Sequence, residues 1–420
     1  MTEVECMNPT SDVLRLTNHF TGKEVIENLG LNRVLILSVA VGAGHMRTAE
    51  ALKEAAGVLY PGAEIRILDT FRYASPFLGK VVLAAYMEML KKSPLLYEFL
   101  YRQAEHGQPL SGKGKNSFSH IMNIMAAPRL VEYINDFKPE IIVCTHAFPL
   151  GIVSHMKKKG IFRGPVFAII TDYDVHSFYI FPEVDKYIVG SEELIPQCLE
   201  FGIEPWRVHA TGIPIHVDFF VKYNKGQLRE QMGLDPELPV ILLMGGGLGM
   251  GPLDSLFEIL SRSSRYQLIC VAGANDALRE KLDKLALGMS CRVKIYGFVD
   301  NIHELMAASD FIVGKAGGLA CAEAMALGLP MFIVDPLPGQ EERNTEFMIA
   351  AGAGIRVSEA NLADMVKACL EEPVKIEKMA RAAAARGKPN AASDVIRLMA
   401  EAVDAGEKLH PNDVNIARNK

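Results

Sequence analysis

One short unit occurs twice in this chain of 420 residues, and it constrains the fold more than any other feature. Residues 34–41 (Val-Leu-Ile-Leu-Ser-Val-Ala-Val) make a run apolar enough for a strand covered on both faces. Gly42, Ala43 and Gly44 then turn the chain into an alanine- and leucine-rich helical stretch over 45–59. From Pro239 the plan restarts. Val240 to Met244 is a second buried run, Gly245 to Gly251 a second glycine turn, and another helix follows. Strand-like runs at 64–68, 141–145, 166–171 and 187–190 go with the first unit, and those at 268–272, 293–296, 311–313 and 331–334 with the second. Strands alternating with helices predict a parallel sheet with helices on both faces, so the fold class is α/β with two Rossmann-like halves. The length suits two domains. Gly212 to Ile215 and the polar stretch 222–231 read as the linker, which puts the boundary near 220. The expected division is an extension over 1–31, a first domain over 32–220, a second over 221–390, and a terminal amphipathic helix (391–405) with a polar tail to 420.

Composition removes several function classes. With 44 Lys and Arg against 50 Asp and Glu, the net charge of -6 gives no global field for nucleic acid, so attraction to phosphate must be local. Seven scattered cysteines with no Cys-x-x-Cys pair fit a reducing compartment and no zinc cluster of that type. The first twenty residues are polar and carry Glu3, Glu5 and Asp12, unlike a secretory signal, and no apolar run reaches the ~20 residues a spanning helix needs. A cytoplasmic protein that meets a membrane only at its surface is expected.

A glycine turn between strand and helix brings backbone N–H groups and a positive helix end to an anion. Neither turn here continues as Gly-Lys-Ser/Thr, which disfavours phosphoryl transfer. The most informative segment is Gly314-Lys315-Ala316-Gly317-Gly318-Leu319-Ala320-Cys321-Ala322-Glu323, followed by Gly328-Leu329-Pro330 and by Asp335 to Asn344. Gly317 and Gly318 would let a diphosphate approach a helix start. Glu323, about a turn later, could accept both ribose hydroxyls. Gln340 and Glu341 are expected on a loop at a strand's carboxyl end, where open α/β sheets bind ligands.

These residues resemble the donor site of GT-B glycosyltransferases, in particular the group that holds monogalactosyldiacylglycerol synthase, processive diacylglycerol glucosyltransferase and the peptidoglycan N-acetylglucosaminyltransferase. The first half is most similar to the diacylglycerol branch, through Gly42-x-Gly44-His45, Thr145-His146-x-Phe148-Pro149 and Thr171-Asp172-x-x-x-His176. The resemblance implies two Rossmann-like domains facing a central cleft. It implies that Gly297, Phe298 and Val299 frame the uracil, that Glu323 holds the ribose, that Gln340 and Glu341 hold the sugar with Asn344 beside them, and that Gly246, Gly247 and Lys315 lie near the phosphates. Gly44, His146, His176 and Tyr179 would serve the acceptor side. Two positions depart from the pattern: Ala316 stands where proline is common, and Tyr179 where tryptophan is expected.

Inverting transfer requires a base for the acceptor hydroxyl, with UDP leaving from the opposite face of an oxocarbenium-like sugar. His45, with an ordinary pKa of about 6.5, is the first candidate; Asp172 is the second and His176 a third. Asp172-Tyr173-Asp174 also resembles the metal-binding Asp-x-Asp of the single-sheet glycosyltransferase fold. Two sheets argue against that reading, so no metal and no cofactor is expected for the chemistry, and UDP-glucose or UDP-galactose acts as substrate. Residues 71–118 mix Phe, Tyr, Leu and Met with Lys80, Lys91, Lys92, Arg102, Lys113 and Lys115. An aromatic face with basic flanks suits an anionic membrane surface, each nearby cation contributing about 1 kcal/mol, although helices packed into the first domain would look alike. The expected activity is hexosyl transfer to diacylglycerol, with the neighbouring alternatives of a peptidoglycan-type acceptor, a UDP-sugar 2-epimerase and a non-catalytic UDP-sugar sensor.

Overall fold

The computed structural model describes residues 30–40, 43–74 and 128–409. Most of the aromatic and basic stretch 71–118 therefore lies outside the described residues, as do Gly42, the extension before residue 30 and the tail after 409.

Two six-stranded parallel sheets organise the chain. The first holds β1 (Arg33–Ser38), β2 (Glu64–Asp69), β3 (Ile141–Cys144), β4 (Val166–Ile169), β5 (Lys186–Ile188) and β6 (Val208–His209), in the order β2-β1-β3-β4-β5-β6. The second holds β7 (Val240–Met244), β8 (Gln267–Val271), β9 (Arg292–Tyr296), β10 (Phe311–Gly314), β11 (Met331–Val334) and β12 (Gly354–Val357), in the order β12-β11-β10-β7-β8-β9. That second order is the doubly wound Rossmann arrangement. Central strands are apolar on both faces because helices cover both: Val34 to Leu37 and Val240 to Leu242 are wholly buried. Registers such as Val34 opposite both Ile65 and Ile141, and Leu242 opposite both Ile312 and Ile269, stack those residues into continuous layers.

Sequence reading missed the edge strands β6 and β12. The first is two residues long and the second begins at a glycine and carries Arg356, so neither presents an apolar run. The first strand stops at Ser38, and Val39 and Ala40 lie outside the sheet. Within the stretch read as linker, Lys225–Gln231 is a short helix capped by the Asn224 side chain.

Seven helices matter for the site: α1 (Gly44–Leu59), α2 (Ala147–Lys158), α3 (Leu253–Leu260), α4 (Ile302–Ala308), α5 (Gly318–Ala326), α6 (Gln340–Ala350) and α7 (Ala391–Leu409). In α1, Ala49, Leu52, Ala55 and Ala56 form one apolar stripe at helical spacing. The terminal helix α7 does not stand apart. Its Ala392, Val395, Ile396, Met399 and Ala400 enter the same core as Val34, Ile36, Ala49 and Leu52, so the chain's end returns to the first sheet. The outgoing and returning crossings lie side by side. Gly212 has φ +101°, and a Cβ there would fall 2.5 Å from that of Lys388, so only glycine fits.

Candidate active site

Ligands of open parallel sheets bind where neighbouring strands send their connections in opposite directions. In the second sheet that point lies between β7 and β10, and these strands carry the glycine turns 245–251 and 314–317 at their carboxyl ends. In the first sheet it lies between β1 and β3, which lead to Gly44-His45 and Thr145-His146. The two switch points face each other. A Cβ on Gly247 would come within 2.5 Å of the Ala43 Cβ, and one on Gly318 within 2.9 Å of the Asp172 Cα.

This contact gives two of the glycines a packing role. Gly318 is needed because backbone from the first domain lies against it, and Gly247 because Ala43 does. Gly246, with φ +68°, and Gly317 have nothing within 4 Å of a built Cβ, so both open on free space.

His45 occupies the first turn of α1. Its Nδ1 is 2.8 Å from the Thr145 carbonyl oxygen and 3.0 Å from Thr171 Oγ1. A carbonyl only accepts, so Nδ1 carries the hydrogen and Nε2 is the unprotonated nitrogen of the neutral ring. Burial lowers the His45 pKa, partly opposed by Asp172 and the Thr145 carbonyl. The Asp172 carboxyl is pushed up, first by burial, while a hydrogen bond from Asn344 and the nearby His45 pull it back.

Asn344 was expected among the sugar contacts, but its amide is committed elsewhere. From α6 it donates through Nδ2 to Asp172 Oδ1 (3.0 Å) and to the Ala316 carbonyl (3.0 Å), and its Oδ1 accepts from the Tyr173 N–H (2.7 Å). The residue is 0 % exposed. Beside it, Tyr173 leaves its own domain, enters the second core and stacks on Phe347 at 4.1 Å between ring centroids. The Asp-Tyr-Asp spacing thus places a tyrosine plug and a clasped carboxylate at the domain interface.

The other acceptor-side candidates have structural duties. His146 caps α2, its Nδ1 accepting from the Phe148 N–H at 3.0 Å, with its ring edge against His45 at 4.7 Å. Burial, then His45, holds its pKa well below the usual histidine range. His176 caps the turn Ser177–Tyr179. Tyr179 is buried in the first core, where burial first raises its hydroxyl pKa and Thr171 and the Ala147 backbone oppose that rise. An aromatic residue near a motif reads alike whether it lines a groove or a core.

On the donor side, Gln340 and Glu341 are the first residues of α6, not loop residues. The chain turns at Gly339 (φ 92°), and Glu341 Oε2 accepts from the Leu337 N–H at 2.7 Å, which starts the helix early. Lys315 Nζ lies 3.6 Å from the same Glu341 oxygen. Burial pushes the Glu323 carboxyl up to about 8, opposed by Arg47 and His216. Exposed Phe298 lies under the guanidinium of Arg47, 5.1 Å from ring centroid to Cζ. Arg47 Nη2 also donates to the Val299 carbonyl at 3.4 Å and to Asp300 Oδ1 at 3.1 Å. Sequence reading missed Arg47, although a cation one turn into the helix after a glycine turn is a signal for phosphate. Arg47, Leu319, Glu323 and their neighbours enclose about 30 Å³, far below the roughly 300 Å³ or more of a small-ligand pocket.

The arrangement of two Rossmann-like domains closing on one cleft is the GT-B fold. MurG of Acinetobacter baumannii superposes with a TM-score of 0.57 at 16% identity over 88% of this chain and 99% of its own. The UDP-GlcNAc 2-epimerase of Neisseria meningitidis, bound to UDP-GlcNAc, gives 0.55 at 15% over 88% and 100%. Residues 45–215 match the monogalactosyldiacylglycerol synthase family model, and residues 240–395 the glycosyltransferase family 28 C-terminal domain. The processive diacylglycerol beta-glucosyltransferase of Bacillus subtilis (strain 168) is 30% identical over 78% of this chain and 83% of its own length; that of Bacillus cytotoxicus is 29% identical over 88% and 93%. This chain belongs to the family of processive diacylglycerol beta-glucosyltransferases and monogalactosyldiacylglycerol synthases.

Proposed function

We propose that this protein is an inverting glycosyltransferase that moves a hexose from a UDP-sugar to the free hydroxyl of diacylglycerol, giving a β-glycosyl diacylglycerol. The observation that carries the mechanism is the His45 ring, held through Nδ1 by Thr145 and Thr171 with the buried carboxyl of Asp172 beside it. His45 Nε2 takes the acceptor proton as the hydroxyl oxygen attacks the anomeric carbon. The Asp172 carboxylate then stabilises the imidazolium that forms, and Asn344 fixes that carboxylate in place. UDP leaves on the opposite face. Its charge is met by backbone amides at Gly246 and Gly317, the N-terminus of α5 and Lys315, without a metal ion.

Glu323 accepts from the ribose hydroxyls, the Phe298-Val299 loop receives the uracil, and Gln340 and Glu341 take the sugar. UDP-glucose is the favoured donor because the relatives that cover most of the chain are named glucosyltransferases. The diacylglycerol is met at the bilayer surface, at an anionic cytoplasmic face that suits the basic stretch 71–118.

The test is incubation of the purified protein with anionic vesicles containing diacylglycerol and, in separate reactions, UDP-glucose, UDP-galactose or UDP-N-acetylglucosamine, followed by mass spectrometry of the lipids. Hexosyl diacylglycerol from UDP-glucose is the expected product. Binding of UDP with no lipid product from any donor would sink the proposal, and epimerised UDP-sugar would replace it with an isomerase.

A further inference from the structure

Where the chain crosses between domains, His216, Asp218 and His303 bring two imidazole nitrogens and a carboxylate oxygen within 4.8 Å of one another. The transfer chemistry gives none of them a role. Asp218 Oδ2 lies 3.2 Å from His216 Nδ1 and 3.5 Å from His303 Nε2. Charge-assisted hydrogen bonds are shorter, about 2.7–2.9 Å. Both separations instead match the edge of a tetrahedron, about 3.3–3.4 Å when the bonds to a central ion are about 2.0–2.1 Å.

The surroundings complete such a site. Glu54 of α1 contacts His216 Nε2 directly, too closely for an ion between them, so Nε2 holds the hydrogen and donates it to the carboxylate. Nδ1 caps the turn 217–220, accepting from the Asp218 N–H in a long bond of 3.3 Å that a bound ion would displace. A carboxylate behind a ligating histidine is the usual way its ring is oriented. The His303 ring lies parallel to that of His216, within 3°, and the rings of Phe219 and Tyr223 pack about it at 6.0 and 5.8 Å. Both histidines line the 30 Å³ cavity, which has room for a water molecule.

We infer that His216 Nδ1, Asp218 Oδ2 and His303 Nε2 form a divalent metal site, with water as fourth ligand and Glu54 as outer support. Two imidazoles and one carboxylate select a borderline ion such as zinc over magnesium or calcium, which take oxygen shells. The ion joins three parts of the molecule: α1 of the first domain through Glu54, the crossing segment, and α4 of the second domain. Because α4 begins directly after the 298–300 loop that Arg47 grips, the ion fastens the closed cleft and takes no part in sugar transfer.

The test uses the full chain, stripped with chelator and titrated first with cobalt(II), whose visible absorption reports tetrahedral coordination, then with zinc by calorimetry. One equivalent of cobalt with the intense tetrahedral band, displaced by zinc, is expected. His303→Gln and, separately, Asp218→Asn should abolish the band, and Glu54→Gln should weaken binding about 10- to 100-fold. Both ligand variants are first compared with the unaltered metal-free protein by thermal unfolding, so that loss of binding is read only from a folded variant. Failure of cobalt to bind, or a band that persists in either ligand variant, overturns the inference and leaves a plain imidazolium bridge between Glu54 and Asp218. Glycolipid synthesis is measured separately, so loss of the metal site and loss of the transferase reading are distinguishable.

Discussion

Asn344→Ala tests the link between domain closure and chemistry. The substitution removes three buried hydrogen bonds, at 2.7, 3.0 and 3.0 Å, one of them to a carboxylate. A bond to a charged group contributes about 1.5–3 kcal/mol and a neutral one about 0.5–1.5 kcal/mol. Truncation also leaves the Tyr173 N–H and the Ala316 carbonyl unpaired in a region from which water is excluded. Denaturant unfolding should therefore show about 3–5 kcal/mol lost from the transition that reports interface contacts. The kinetic effect has a separate signature. Asn344 is one of the groups that pull the Asp172 pKa down, and without it burial acts less opposed, so the carboxyl rises further. If the carboxylate form assists His45, the acid limb of the kcat profile moves to higher pH and kcat at neutral pH falls about 10- to 100-fold. A purely structural clasp would lower stability and leave the acid limb where it was. A stability change below about 1 kcal/mol with an unaltered pH profile would refute the whole chain of reasoning.

Three further outcomes are expected. His45→Gln should keep the fold and lower kcat about 10²- to 10⁴-fold, the usual size of a general-base effect; because the His45 pKa is lowered, the acid limb that persists in Asp172→Asn should have its midpoint below pH 6.5, and a midpoint above that value in this variant would exclude His45 as the base. For Glu323, at about 8 in the free protein, UDP binding that favours the carboxylate should tighten as pH rises, approaching tenfold per unit below pH 8 and levelling above it; calorimetry on Glu323→Gln should show no such slope, and an unchanged slope would assign it to another group. Tyr173→Ala should cost about 3–5 kcal/mol in denaturant unfolding while Tyr173→Phe costs little, since the ring fills the second core and stacks on Phe347; equal losses for both would place the energy in the hydroxyl instead.

Much of this architecture was written locally. Apolar runs that carry hydrophobic residues at every position, such as Val34 to Leu37 and Val240 to Met244, can be satisfied only between two layers of helix, so the two parallel sheets were legible before any coordinates. The glycine turns were legible too, since glycine runs between an apolar strand and a helix mark a tight strand-to-helix connection. The short edge strands were not, because two residues at Val208–His209 and the mixed Gly354–Val357 have no periodicity to read.

Tertiary structure decided which residues serve the ligand and which serve the fold. Gly317 and Gly318 are adjacent and identical in sequence, yet one opens on space and the other abuts the Thr171-Asp172 backbone. Asn344 reads as a donor contact until the first domain brings Asp172 and Tyr173 to it. Arg47 and Phe298 lie 251 positions apart and meet only when the domains close, and His216 and His303 come together only at the crossing. Sequence determines the buried strands, the turns and the caps, since those depend on neighbours along the chain. The partner of a polar side chain across a cleft depends on how two sheets are set against each other, and no local pattern carries that information.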